Sequence, residues 1–118
     1  MKRVAGVGVD VVGISRLARV RGRRGGLIEH VTAEEEREGG VDDLRAAELW
    51  TGKEAIAKAI GTGFWQMGVG WADVRITRDY AVTLHGRAAE LAPGSTFALT
   101  FSRDGDRLIA IAMRWSPG

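Results

Sequence analysis

No cysteine occurs among the 118 residues, so no disulfide can brace the fold and no thiolate zinc site can form. No apolar run approaches the roughly 20 residues that a helix needs to cross a membrane. The N-terminus, Met1-Lys2-Arg3-Val4, runs straight into an alternating pattern without the apolar block of a signal peptide. These absences lead to the expectation of a cytoplasmic protein with no membrane association. No serine is placed beside a histidine and an acid as a nucleophilic triad requires. Gly6 and Gly8 lack the third glycine and the following helix of a dinucleotide-binding turn.

Acid is also missing from one long stretch. Between Asp10 and Glu29 there is none, yet Arg16, Arg19, Arg21, Arg23 and Arg24 fall there. Six acids then crowd into Glu34 to Asp43, although the formal net charge is only +2. A segment of one sign can steer a partner of the other sign to one face; it can equally be a solvated loop. Nucleic acid fits poorly, because the basic segment holds no aromatic residue on which bases could stack.

A chain of this length is expected to form one domain, 1–118, with a real core and something to gain from oligomerisation. Residues 3–12 alternate valine with small residues and read as a buried strand interrupted by Asp10. Gly6 and Gly8 predict close approach of another backbone. Ile14 to Val20 reads as a short helix capped by Ser15, followed by a flexible break at Gly22 and Gly25-Gly26. Thr32 and Glu35 form a capping-box pattern for a short helix ending near Gly39-Gly40. Asp42 starts a long helix that runs to Ile60 and stops at Gly61. Beyond the aromatic, glycine-punctuated loop Phe64 to Trp71 come short strands at 74–77 and 80–84. A short helix at 86–92 and two longer strands, 96–102 and 108–115, follow. The sum is an α+β domain with a mostly antiparallel sheet packed on the long helix.

Two places carry candidate chemistry. Asp10 is an acid in a valine-rich strand, where burial is unfavourable unless the carboxylate is paired, capping or metal-bound. Glu54 and Lys58 are four apart on the long helix and share a face. They can hold a metal ion and a phosphate, or form a surface ion pair.

Three separated motifs, in order and at the right spacing, make the chain resemble the holo-[acyl-carrier-protein] synthase family, the short type of 4′-phosphopantetheinyl transferase. They are Gly8-Val9-Asp10 with Arg16 six residues on, Lys53-Glu54-Ala55 through Lys58-Ala59 to Gly61-Thr62-Gly63, and the hairpin Leu99 to Gly105 with the strand after it. The segment Leu27 to Glu35 is similar to the family's entry to its second helix. The resemblance implies a 4′-phosphopantetheinyl transferase-like fold and transfer of the phosphopantetheine arm of coenzyme A to a serine of an acidic acyl carrier protein. It implies Mg²⁺ held by Asp10 and Glu54, with Lys58 on a phosphate or assisting proton transfer. Coenzyme A would be bound by Lys58, Gly61, Gly63, Ser102 and Arg103. Arg16 would contact the carrier, with Arg19, Arg21, Arg23 and Arg24 extending that surface. A homotrimer with active sites between subunits is implied as well.

The chain departs from the family pattern twice. Arg103 stands where the family's hairpin has a histidine, and Leu49 stands where an arginine commonly precedes Lys-Glu-Ala. The alternative to the enzyme is therefore a weakly active or inactive homologue that binds a carrier or synthase. Phe64 to Trp71 is read as core or interface packing rather than a pantetheine or carrier contact.

Overall fold

The structure is a computed structural model that describes residues 2–63 and 66–117. Strand β1 (Arg3–Gly13) leads directly into helix α1 (Ile14–Arg23). A short helix α2 (Leu27–Val31) and a 3-10 turn at Glu34–Arg37 precede the long helix α3 (Asp43–Ile60). A small hairpin, β2 (Val74–Ile76) and β3 (Val82–Leu84), is followed by α4 (Gly86–Leu91) and the final hairpin, β4 (Thr96–Asp104) and β5 (Arg107–Ser116). The main sheet is antiparallel in the order β1-β5-β4, and β2-β3 forms a separate pair. This is the α+β arrangement expected, with α3 laid across the main sheet. At 1.5 Å per residue α3 is about 27 Å long.

Glycine sets how closely α3 approaches. A Cβ built on Gly6 would lie 1.9 Å from the Ala59 carbonyl oxygen, and one on Gly8 would lie 1.9 Å from that of Ala55. No side chain fits there, so the expectation of a close backbone approach holds. Ala55 and Ala59 of the helix, with Ala110 and Ala112 of β5, complete a contact of small residues around Leu49, Ile56 and Leu99. The expectation of a buried strand holds for only one face of β1. Glycines and Asp10 face the helix, while Val7, Val9 and Val11 alternate outward and are about half exposed.

The helix ends follow local chemistry. The Asp42 carboxylate accepts the Arg45 N–H at 2.8 Å, and Gly61 closes α3 in the left-handed conformation. Two other expected caps are corrected. Ser15 lies inside the first turn of α1, whose N-cap is Gly13, and α1 runs on through Arg21 and Arg23. The capping pair before α3 is displaced by one residue, to Ala33 and Glu36, because Thr32 uses its hydroxyl on the Ile28 carbonyl.

Glu36 owes its place to a buried ion pair that spacing did not reveal. Lys53, on the inner face of α3, is fully buried, and its ammonium donates to Glu36 Oε1 at 2.6 Å and to the Trp71 carbonyl at 3.0 Å. Glu36 also accepts the backbone N–H groups of Ala33 (2.8 Å) and Ile76 (2.9 Å). One carboxylate thus ties the 3-10 turn, α3 and β2 together. Burial pulls the Lys53 pKa down and Glu36 pushes it back up. Trp71 packs its ring 4.8 Å from Trp50, in agreement with core packing for that end of the aromatic loop. Phe64 and Trp65 lie outside the described residues.

Removing one member of a buried pair leaves the other charge uncompensated. Glu36→Ala is expected to lower the unfolding free energy by about 3–5 kcal/mol in urea denaturation. The double variant Glu36→Leu/Lys53→Met should recover a large part of that loss. Equal destabilisation by the single and double variants would refute the pairing.

Candidate active site

Asp10 sits midway along β1 on the face turned to α3. Three residues of α3 at positions i, i+3 and i+7, namely Thr51, Glu54 and Lys58, share the helix face that meets it. The Thr51 hydroxyl, fully buried, donates to Asp10 Oδ2 at 2.6 Å. The Lys58 ammonium donates to Asp10 Oδ1 and to the Val9 carbonyl, both at 3.0 Å. The ion pair that forms is therefore Lys58–Asp10, between helix and strand. The Asp10 side chain is 18% exposed and that of Lys58 51% exposed, so the pair opens to solvent on the lysine side.

Glu54 is half-buried, and its pKa is raised first by burial, then by the negative charge of Asp10, with Lys58 opposing. Two carboxylates that repel one another while partly withdrawn from water favour a cation. Among the described residues no group of three or more histidine or acidic side chains could hold a metal. The donor set is two hard carboxylates, with the remaining positions left to water or phosphate oxygens. That set suits Mg²⁺, which binds through one or two carboxylates and retains water.

The other expected site residues fall in different places. Gly61 caps α3, with its N–H bonded to Ala57 and Lys58 carbonyls, and Gly63 follows two residues on. Ser102 pairs with Ile109, which pairs with Val11, so Ser102 lies two strands from β1 on the outward face of the sheet. Arg103 lies at the far end of the same hairpin, where its Nε–H donates to the Gly105 carbonyl at 3.1 Å. Two strand spacings are about 10 Å, and one chain does not bring Ser102 or Arg103 to Asp10. Leu49 is fully buried in the core.

Arg16, Arg19 and Arg23 recur at i, i+3 and i+7 on α1 and are exposed; Arg24 follows at its C-terminus. Arg21 is not part of that surface. It turns inward, donating to the Val41 carbonyl and pairing with Asp43 at 3.6 Å. Val11, Val12, Leu17, Val20 and Trp50 line a groove of about 290 Å³ next to Arg16. The start of α1 is capped from a distance by the tip of the last hairpin. Asp106 accepts the Ser15 N–H at 3.2 Å and the Ser15 hydroxyl at 2.7 Å, while its backbone carbonyl accepts the Ile14 N–H at 2.8 Å. The hydrogen bonds from Ser15, helped by Arg103 and Arg19, hold the Asp106 carboxyl below its usual range. A separate cleft of about 580 Å³, lined by Glu36, Arg45, Arg75 and Arg78 among others, includes neither Asp10 nor Glu54.

Thr51 and Asp106 were not singled out from the sequence. Thr51 does carry a signal in its spacing, three residues before Glu54 and seven before Lys58. Asp106 carries none, because its partner is 91 residues away.

Comparison with known proteins identifies the family of the chain. Residues 6–112 match the family model of the 4′-phosphopantetheinyl transferase superfamily. The holo-[acyl-carrier-protein] synthase of Halorhodospira halophila is 34% identical, covering 93% of this chain and 96% of its own. That of Desulforudis audaxviator is 35% identical, covering 97% and 95%. The solved complex of the Chronobacterium ammoniagenes enzyme with coenzyme A is 26% identical, with a TM-score of 0.70 over 96% of this chain and 98% of that one. The chain belongs to the holo-[acyl-carrier-protein] synthase family of that superfamily.

The raised pKa of Glu54 has a measurable consequence. A carboxyl whose folded pKa exceeds its unfolded value lowers stability as pH rises through the interval between the two. Below that interval the difference vanishes. Glu54→Gln is thus expected to raise the melting midpoint at pH 7 and to leave it nearly unchanged at pH 4. Mg²⁺ should raise the midpoint of the wild type by mass action and leave that of Glu54→Gln unmoved. A lower midpoint for the variant at pH 7 would contradict the repulsion inferred here.

Proposed function

We propose that the protein transfers the 4′-phosphopantetheine arm of coenzyme A to a serine of an apo acyl carrier protein, releasing adenosine 3′,5′-bisphosphate. The observation that carries this reading is the convergence of Asp10, Glu54 and Lys58 where β1 meets α3. Asp10 and Glu54 would hold Mg²⁺, which when bound would neutralise charge on the diphosphate. Lys58, half-exposed at the rim of the site, binds a phosphate oxygen. The carrier serine hydroxyl attacks the phosphorus bearing the pantetheine arm, its proton leaves to solvent water, and the bond from that phosphorus to the bisphosphate leaving group breaks. Gly61 and Gly63 allow backbone to approach the arm. Arg16, Arg19, Arg23 and Arg24 receive the acidic carrier, and the apolar groove beside Arg16 lies within that surface.

A complete site needs more than one copy in this reading. Ser102 and Arg103 are remote from Asp10 within a chain, and Val7, Val9, Val11 and Ile111 form an exposed apolar row on the outward sheet face. Such a patch marks an interface. We place it at the centre of a homotrimer, with Arg103 contributing to a neighbouring copy's phosphate site. No helix among the described residues is long and apolar enough to cross a membrane.

The decisive assay incubates the protein with an apo carrier, coenzyme A and Mg²⁺ and weighs the carrier by mass spectrometry. Addition of the arm is expected. Asp10→Ala and Glu54→Ala should each lower kcat on the order of a hundredfold or more. Arg16→Glu should act mainly on the carrier KM, raising it about tenfold or more. Absence of transfer to every carrier tested would favour the carrier-binding homologue, a reading supported by Leu49 being locked in the core where the family has an arginine. Val9→Glu places a charge in the exposed row and should shift the oligomer toward monomer in light scattering; an unchanged mass would remove that face from the interface.

A further inference from the structure

The two oxygens of Asp10 have different partners. Oδ1 faces Lys58, which is half-exposed and reaches it through a flexible stem. Oδ2 faces the Thr51 hydroxyl at 2.6 Å, a neutral group carried directly on the helix and fully buried. A threonine inside a helix ordinarily turns its hydroxyl back to the carbonyl four residues earlier. Here the hydroxyl proton goes to a carboxylate on another element. Water cannot take its place, since Thr51 has no exposed surface.

We propose that Thr51 is a positioning residue for cation binding at Asp10. Its hydroxyl fixes Oδ2 and thereby the rotation of the carboxylate. That leaves Oδ1, on the open side, as the oxygen offered to a divalent cation shared with Glu54. An unfixed aspartate on a strand can rotate about its terminal bond. Ordering it on binding would weaken the site. Outer partners that orient a metal ligand typically contribute 10–100-fold in affinity. Thr51 adds no charge and occupies no coordination position, so its contribution lies in orientation alone. This rests on the assignment of Asp10 as a cation ligand.

The test uses Mn²⁺ as a paramagnetic substitute for Mg²⁺, titrated against the protein at saturating coenzyme A and followed by electron paramagnetic resonance. Thr51→Val keeps the shape and removes the hydroxyl. It should weaken Mn²⁺ binding about 10–100-fold, while the affinity for coenzyme A measured in EDTA stays at the wild-type value. Thr51→Ser restores the donor and should restore Mn²⁺ binding. If Thr51→Val fails to fold, Thr51→Ala serves for the same comparison. Wild-type Mn²⁺ affinity in a folded variant without the hydroxyl overturns the proposal. Failure of Thr51→Ser to recover affinity also overturns it, because the hydroxyl would then not be the cause. Absence of saturable Mn²⁺ binding by the wild type overturns the cation assignment and this proposal together.

Discussion

The rest of the structure depends on the contact of α3 with β1 at Gly6 and Gly8. The helix backbone rests against the strand with carbonyl oxygens of Ala55 and Ala59 where side chains would otherwise stand. With larger residues at either glycine the helix would have to lift or slide. Asp10, two residues beyond Gly8 on the same face, would then lose its partners on α3. Thr51 has a short side chain, so its hydrogen bond to Asp10 exists only at this separation. The glycines are thus part of the site although they carry no chemistry themselves.

The same helix uses its two lysines in opposite ways. Lys53 points to the interior, fully buried on Glu36 and the Trp71 carbonyl. Lys58 points to the rim, half in water, with Asp10 as its partner. A buried charge with complete hydrogen bonding is fixed and helps to specify how elements meet. A half-exposed charge on a flexible stem can change partners. The division gives α3 a locked side and an adjustable side, with Glu54 next in sequence to the locked lysine. The hydrogen bonds at Lys53 therefore help to hold the backbone from which Glu54 projects.

Much of this was legible in the sequence. The long helix and its two caps follow from Asp42 and Gly61, and the close approach follows from Gly6 and Gly8, because these residues act through their own backbones. The ordered motifs resemble one family, and the comparisons bear that family out. Partners set by tertiary packing were not legible. The row of outward valines in β1 reads like core, since alternation says which residues share a face and not which face is covered. The pairing of Glu36 with Lys53, 17 residues apart, appears only when the turn and the helix are brought together. Ser15 reads as a cap, whereas its N–H is satisfied by Asp106 from the opposite end of the chain.

Asp106 also bears on how two binding surfaces stay in register. Helix α1 has neither an acidic residue in its first turn nor a side-chain cap of its own. Its first N–H groups are taken up by the hairpin that carries Arg103. The exposed arginines of α1 and the arginine at the hairpin tip are therefore linked through one residue, Asp106, by its carboxylate and its carbonyl. Under the proposed reading, one surface receives the carrier and the other contributes to a phosphate site in a neighbouring copy. A mechanical link between them would keep the two substrates aligned across the boundary between subunits. Such a link is independent of the contact between α3 and β1, which sets the carboxylates. The chain thus has two separate devices for position: close packing of backbone at the proposed cation site, and a distant cap at the proposed carrier surface.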